Sequence, residues 1–303
     1  MARRKSGRPV TGWLAVDKPS GPTSTDVVNR ARWLLKARKA GHAGTLDPAA
    51  TGLLILAFGE ATKALPLITD APKTYEFSVN WGASTDTDDA AGTVTQTTDA
   101  RPTPAQIAAA LPAFRGPIQQ TPPAYSAVKI DGQRAYAAAR AGAAPELAAR
   151  PLMVHELELT GTDGADSATF RMVCGKGGYV RAIARDLGAA LGCLGHVRAL
   201  RRTQSGPFGL GTALAWSQDT TTADDIAAAL TPLEAGLSEL AECRCDGAGA
   251  ARLGHGNPAD VIWTQAGQGD PAWASVDGQA RALGHYRGGQ FIPNRVFVRE
   301  PYT

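Results

Sequence analysis

Gly41–Gly52 reads GHAGTLDPAATG. One histidine, His42, and one acid, Asp47, sit among glycine, alanine and threonine, and Pro48 follows the acid directly. Small neighbours let a ligand ring or backbone come close, and proline stiffens the turn that presents the carboxylate. A carboxylate so placed serves as nucleophile or as base, and in a water-poor pocket it needs a cation to stay ionised. The bland alternative is an Asp-Pro cap on the next element. The glycine-rich setting and the residues downstream favour chemistry.

The flanking sequence alternates short strands with helices. TGWLAV, residues 11–16, predicts a strand that runs into the turn DKPSGPTS. Ser24 is expected to cap a helix reaching about Arg38, with Val28, Ala31 and Leu35 on its inner face. The quoted stretch then reads as a loop, and LLILAF, Leu53 to Phe58, as a buried strand. Tyr75, Phe77, Val79 and Trp81 alternate over Thr74 to Trp81, the period of a half-buried strand. The acidic loop STDTDDAAG leads into β-prone GTVTQTT, and Thr103-Pro104-Ala105-Gln106 carries the marks of a helix N-terminus.

Pro117 to Arg150 reads as a mobile insertion, followed by strands near 152–160 and 167–174. CGKGGYVRAIARDLG turns through glycines into a helix burying Val180, Ile183, Ala184, Leu187 and Leu191, and residues 196–204 predict another strand. After a Thr-rich, acidic connector near 217–242, residues 246–303 hold ten glycines, four prolines and short β-like runs. That shift marks a small β-rich domain.

Composition bounds the answer. A chain of 303 residues, 44% hydrophobic and 19% charged, is expected to be soluble and globular. Its longest aliphatic run, LLILAF, is too short to span a membrane, and the basic N-terminus lacks the apolar segment of a signal peptide. Four cysteines without metal-ligand spacing fit a reducing compartment, so the cytoplasm is the expected location and no metal is expected. Residues 1–41 hold ten Lys or Arg against Asp17 and Asp26, and Arg181, Arg185, Arg198, Arg201 and Arg202 form a second cluster. Basic charge this uneven on a chain of net charge +3 points to a polyanion.

Other residues join Asp47 as candidates. Arg181 is either its natural counter-charge or an ordinary exposed helix arginine, since spacing alone fits both. Tyr75 and Tyr179 offer either core packing or a stacking platform for a nucleobase. His42, among small residues, suits phosphate contact or insertion into a base step, and Lys18 suits phosphate contact. No nucleotide-binding fingerprint is present, because Lys176-Gly177-Gly178 is too short for one.

DKPSGPTSTD, AGHAGTLDPAATGLLILAFGEATK, TYEF with STDTDDAAG, PPAYSAVKIDGQRAYAAAR and GKGGYVRAIARDLG occur in this order. Together they resemble the TruB family of tRNA pseudouridine synthases, which isomerise the T-loop uridine at tRNA position 55. The resemblance implies an α+β pseudouridine-synthase fold with a mixed, largely antiparallel central sheet flanked by helices and loops. It implies a flexible basic tail at 1–10, a catalytic domain at 11–242 with a thumb-like insertion at about 117–150, and a C-terminal PUA-like domain at 246–303.

The resemblance also assigns roles. Asp47 matches the catalytic aspartate, and Arg181 its carboxylate partner. His42 matches the histidine that enters the T-loop, and Tyr75 the tyrosine on the flipped uracil. Tyr179 and Leu200 match positions lining the base pocket, and Asp89 an acid near the base. The implied reaction consumes nothing, so no cofactor is expected. The implied partner is the T-arm of tRNA, met without membrane, guide RNA or protein partner, and a monomer is expected because no helix shows a surplus apolar face. Two alternatives remain: a non-catalytic tRNA-folding module, and a guide-RNA-dependent relative.

Overall fold

The computed structural model describes residues 7–126, 129–130, 133–134 and 147–298. Residues 1–6 of the expected tail therefore lie outside the described residues, as do 127–128, 131–132 and 135–146 of the expected insertion. The chain divides into two compact units. One comprises Met1–Asp47, Leu53–Thr69 and Ser205–Thr303, and the other Pro48–Gly52 and Asp70–Gln204.

In the first unit the strand Gly12–Lys18 lies between Thr51–Phe58 and Leu214–Ala215, running parallel to the latter. Its Trp13 is fully buried, donates from the indole Nε1 to the Leu233 carbonyl at 2.9 Å, and meets the Phe208 ring at 5.7 Å. Only glycine fits at position 236, since a Cβ there would lie 2.5 Å from the Trp13 indole. The apolar run Leu53–Phe58 is buried throughout, as a strand covered on both faces must be.

Two expectations change here. Residues Ala40–Ala43 form a strand, not a loop, pairing antiparallel with Thr51–Phe58 so that His42 faces Leu56. The helix spans Ser24–Leu34 and is capped by Thr23, whose hydroxyl accepts from the Asp26 N–H at 3.1 Å while Asp26 accepts from the Thr23 N–H. It stops short of Arg38 because Lys36 turns to a φ of 50°, left-handed backbone that no α-helix continues. Val28, Ala31 and Leu35 are buried as the periodicity requires.

The same unit carries a six-stranded C-terminal sheet around Cys243, Ala274, Ala282 and Phe291. Its strand Ala241–Arg244 precedes the composition shift at 246. The helix Gly247–Gly254, which β-like composition hid, is capped by Asp246 through the Gly249 N–H at 2.7 Å.

The second unit is built on the sheet order Gly195–Ser205, Lys73–Trp81, Ser167–Cys174, Arg150–Asp163, Gly116–Gln120. The last three pairings are antiparallel, and Gly195–Ser205 carries the parallel pairs Arg201↔Thr51 and Arg202↔Gly52 on its other side. The sheet is thus mixed and largely antiparallel. Tyr75, Phe77, Val79 and Trp81 are buried together beneath the helix Val180–Ala190, whose Val180, Ile183, Ala184 and Leu187 share their core. Thr103, Pro104 and Gln106 form the expected capping box.

Residues 117–120 belong to this sheet and not to a loose insertion. Gln120 pairs with Arg150, so the excursion leaves and re-enters at neighbouring points of one edge. Among the described residues no helix is long and apolar enough to cross a membrane.

Gly52 holds a φ of +95°, and a Cβ there would lie 2.2 Å from the Arg202 carbonyl oxygen. Gly52→Ala should therefore lower unfolding stability by about 2–4 kcal/mol, read by urea denaturation, as strain and overpacking combine.

Candidate active site

Asp47 ends the first unit, half-buried, with Pro48 and Ala49 exposed in the turn beyond it. The segment has few side chains able to pack, and the backbone is held by polar contacts instead. Ser24, at 1% exposure, accepts from the Leu46 N–H at 2.8 Å and donates to the Leu46 carbonyl at 3.0 Å. His42 is half-buried on its strand, five residues before the acid in a chain that turns at Gly44 with a φ of 83°.

Lys18 corrects an expectation. Its side chain is fully buried, and its ammonium donates to the Pro19 and Pro22 carbonyls at 2.8 and 3.0 Å. A lysine so enclosed organises its own turn.

In the second unit Arg181 is 6% exposed on the helix Val180–Ala190. Its Nε lies 3.7 Å from the Asp89 carboxylate, Nη1 donates to the Thr87 carbonyl at 2.8 Å and Nη2 to the Tyr125 carbonyl at 2.9 Å. Two expected site residues, Arg181 and Asp89, thus meet. Thr87 adds a hydroxyl donor to Asp89 at 2.6 Å.

One turn along, Arg185 contacts Asp88 at 2.9 Å, Asp186 at 2.8 Å and the Thr121 carbonyl at 2.8 Å. The i, i+4 spacing of Arg181 and Arg185 was visible in sequence, but their acceptors lie in distant segments. Asp88 is pushed above the usual carboxylate range by burial, against the pull of the Arg185 guanidinium.

Tyr179 is clamped by its backbone: Gln120 accepts from its N–H at 2.9 Å and donates to its carbonyl at 3.1 Å. Gln120 had no sequence signal beyond a polar residue in a β-prone run. Tyr75 is 9% exposed in the core, and Leu200 packs partly buried against that same cluster. The Leu200 carbonyl accepts from the Thr51 hydroxyl at 3.4 Å.

These residues lie within segments that known proteins share. The profile of the TruB family pseudouridylate synthase N-terminal domain matches residues 32–180, and that of the tRNA pseudouridylate synthase B C-terminal domain matches 181–240. The tRNA pseudouridine synthase B of Dinoroseobacter shibae is 56% identical over 299 residues, 98% of each chain. That of Paracoccus denitrificans is 57% identical over 298 residues, 98% of this chain and 99% of its own. The chain belongs to the TruB family.

Its fold is shared more widely. A crystal structure of a Cbf5-Nop10-Gar1 complex aligns with a TM-score of 0.73 at 25% identity, covering 95% of this chain and 85% of that one. The structure of an H/ACA RNP bound to a substrate RNA containing 2′-deoxyuridine aligns equally well in fold, at 22% identity.

Charge in this TruB-family chain is distributed differently from the sequence expectation. Within the second basic cluster Arg181 and Arg202 are buried and Arg185 pairs with Asp88 and Asp186, whereas Arg198, which pairs with Asp163 at 3.2 Å, is exposed and Arg201 half-buried. The first stretch does present charge to solvent, through Arg8, Arg32, Lys36, Arg38 and Lys39. All four cysteines are free and buried; burial pushes the Cys174 thiol up to about 12 and Cys245 to about 11.

Lys73, on the same strand and face as Tyr75, is 5% exposed and donates to the Ala71 carbonyl at 2.6 Å. Burial pulls its ammonium down from 10.5 to about 8, and the Arg202 guanidinium pushes the same way. Between those two values the unfolded chain holds a proton that the folded chain has released, so this residue makes stability rise with pH across that window. Lys73→Met should remove this rise: the difference in urea-unfolding free energy, wild type minus variant, should increase from below pH 8 to near pH 10.5.

Proposed function

We propose that this chain converts uridine 55 in the T-loop of tRNA to pseudouridine, acting alone as a cytoplasmic monomer without a cofactor. The observation that carries the reading is likeness to tRNA pseudouridine synthases B along 98% of the chain. As a TruB-family isomerase it turns uridine in tRNA into pseudouridine; the position and the roles below are our assignment.

The reaction breaks the N1–C1′ glycosidic bond, turns the uracil and joins C5 to C1′. N1 ends with a proton and C5 loses one. A stacked uridine cannot reach a carboxylate, so the nucleotide is extruded at a cost of a few kcal/mol that pocket and phosphate contacts offset. His42 fills the vacated step in the loop, and Tyr75 stacks on the flipped ring. Asp47 acts as nucleophile at C1′ or C6, or as base on the ribose.

Arg181 keeps the acid ionised, since a desolvated carboxylate otherwise retains its proton. Support for that role comes from its burial and from the three acceptors that hold its guanidinium plane. Leu200 and Tyr179 close the pocket against water, which would intercept the sugar. Asp89 orients Arg181, and Tyr75 assists loss of the C5 proton. The exposed basic stretch meets phosphates, and Trp33, 67% exposed with Arg30 4.8 Å from its ring, suits an unpaired base.

The purified chain should form pseudouridine at position 55 of an unmodified tRNA transcript with no added component. Dependence on guide RNA, or binding without product, would favour the other two readings. Asp47→Asn should reduce turnover by roughly four orders of magnitude while tRNA affinity holds. Arg181→Met should depress kcat far more than affinity, and an affinity loss alone would make it a phosphate clamp. Binding should weaken steeply with salt, and Arg32→Glu with Lys36→Glu should reduce the slope of log K against log salt by about 2.

A further inference from the structure

We infer that Ser24 is a positioning residue for Asp47, an assignment that rests on the reading of Asp47 as the reacting acid. Ser24 opens the helix Ser24–Leu34, where a hydroxyl ordinarily serves as a cap. That duty belongs to Thr23, which forms a complete capping box with Asp26. The Ser24 hydroxyl is turned instead toward a single residue, 22 positions away in sequence, and binds both of its backbone polar groups. It accepts from the Leu46 N–H at 2.8 Å and donates to the Leu46 carbonyl at 3.0 Å.

The geometry matters because the Leu46 carbonyl belongs to the peptide unit that ends at the Asp47 nitrogen. A peptide unit is planar, so holding its oxygen fixes the plane and with it the Asp47 Cα. The remaining freedom of the carboxylate is its own φ and two side-chain torsions. Both partners are shielded, Ser24 at 1% and Leu46 at 3% exposure, so water does not compete for these bonds.

Packing offers no substitute on the C-terminal side. Pro48 and Ala49 are exposed, and Ala50 is the first buried side chain beyond the acid. A segment cleared of bulk to admit a nucleotide has to gain rigidity from backbone hydrogen bonds. Ser24 supplies two of them from a capped helix.

Loss of the hydroxyl leaves the fold's Thr23 cap intact but frees the plane before Asp47. Misplacement of a reacting group by about 1 Å costs on the order of a hundredfold in rate, and Ser24→Ala is expected to lose that much in the single-turnover rate while tRNA affinity is unchanged. Ser24→Cys, with weaker and longer bonds, should fall between the two. Thr23→Ala is the control: it removes the helix cap yet should keep the wild-type rate.

Rates are compared on the full chain well below each melting temperature, so that folded fraction does not enter. A wild-type rate in Ser24→Ala, or a loss shared equally by Thr23→Ala, overturns the assignment. Undiminished turnover by Asp47→Asn would instead overturn the underlying reading, whatever Ser24→Ala does.

Discussion

A guanidinium withdrawn from water has to find acceptors in place, and Arg181 shows how much structure that demand organises. Its guanidinium meets Asp89, the Thr87 backbone and the Tyr125 backbone. Arg185, on the same helix face one turn later, draws in Asp88 and the Thr121 backbone. The acidic loop and the first residues after the strand Gly116–Gln120 are therefore tied to one helix. Removing one partner of such a buried pair typically costs 3–5 kcal/mol, because the other charge stays buried alone. The arrangement makes the loop's conformation a consequence of the helix.

The segment before Asp47 meets the opposite problem. It buries only Ala43 and one large side chain, Leu46, so backbone hydrogen bonds add to packing in setting its path. Antiparallel pairing of Ala40–Ala43 with Thr51–Phe58 fixes one end, and the Ser24 hydroxyl fixes Leu46. Gly52 continues the logic at the far end, where only a residue without a side chain fits against the Arg202 backbone.

Charge gave the least reliable reading from sequence. Two basic clusters looked alike as strings, but one stretch presents Arg8, Arg32, Lys36, Arg38 and Lys39 to solvent while the other buries Arg181 and Arg202 and pairs Arg185 with Asp88. Lys18 illustrates the same ambiguity, since a lysine in a Pro- and Gly-rich turn reads as exposed until its ammonium is found on two backbone carbonyls. Net charge and clustering count arginines without saying which of them water can reach.

What the sequence by itself determined was whatever its neighbours within a few residues decide. Alternation in Tyr75, Phe77, Val79 and Trp81 announced a strand with one buried face, and Thr103 to Gln106 announced a cap, because backbone sterics and local hydrogen bonds set both. Motif order carried the family. Only the tertiary structure decided that His42 sits on a strand, that Arg181 meets Asp89, and that Ser24 holds Leu46 and leaves the cap to Thr23. Those outcomes depend on which distant segments share a desolvated space. There the cost of an unmatched polar group selects the partner, and no local pattern records that cost.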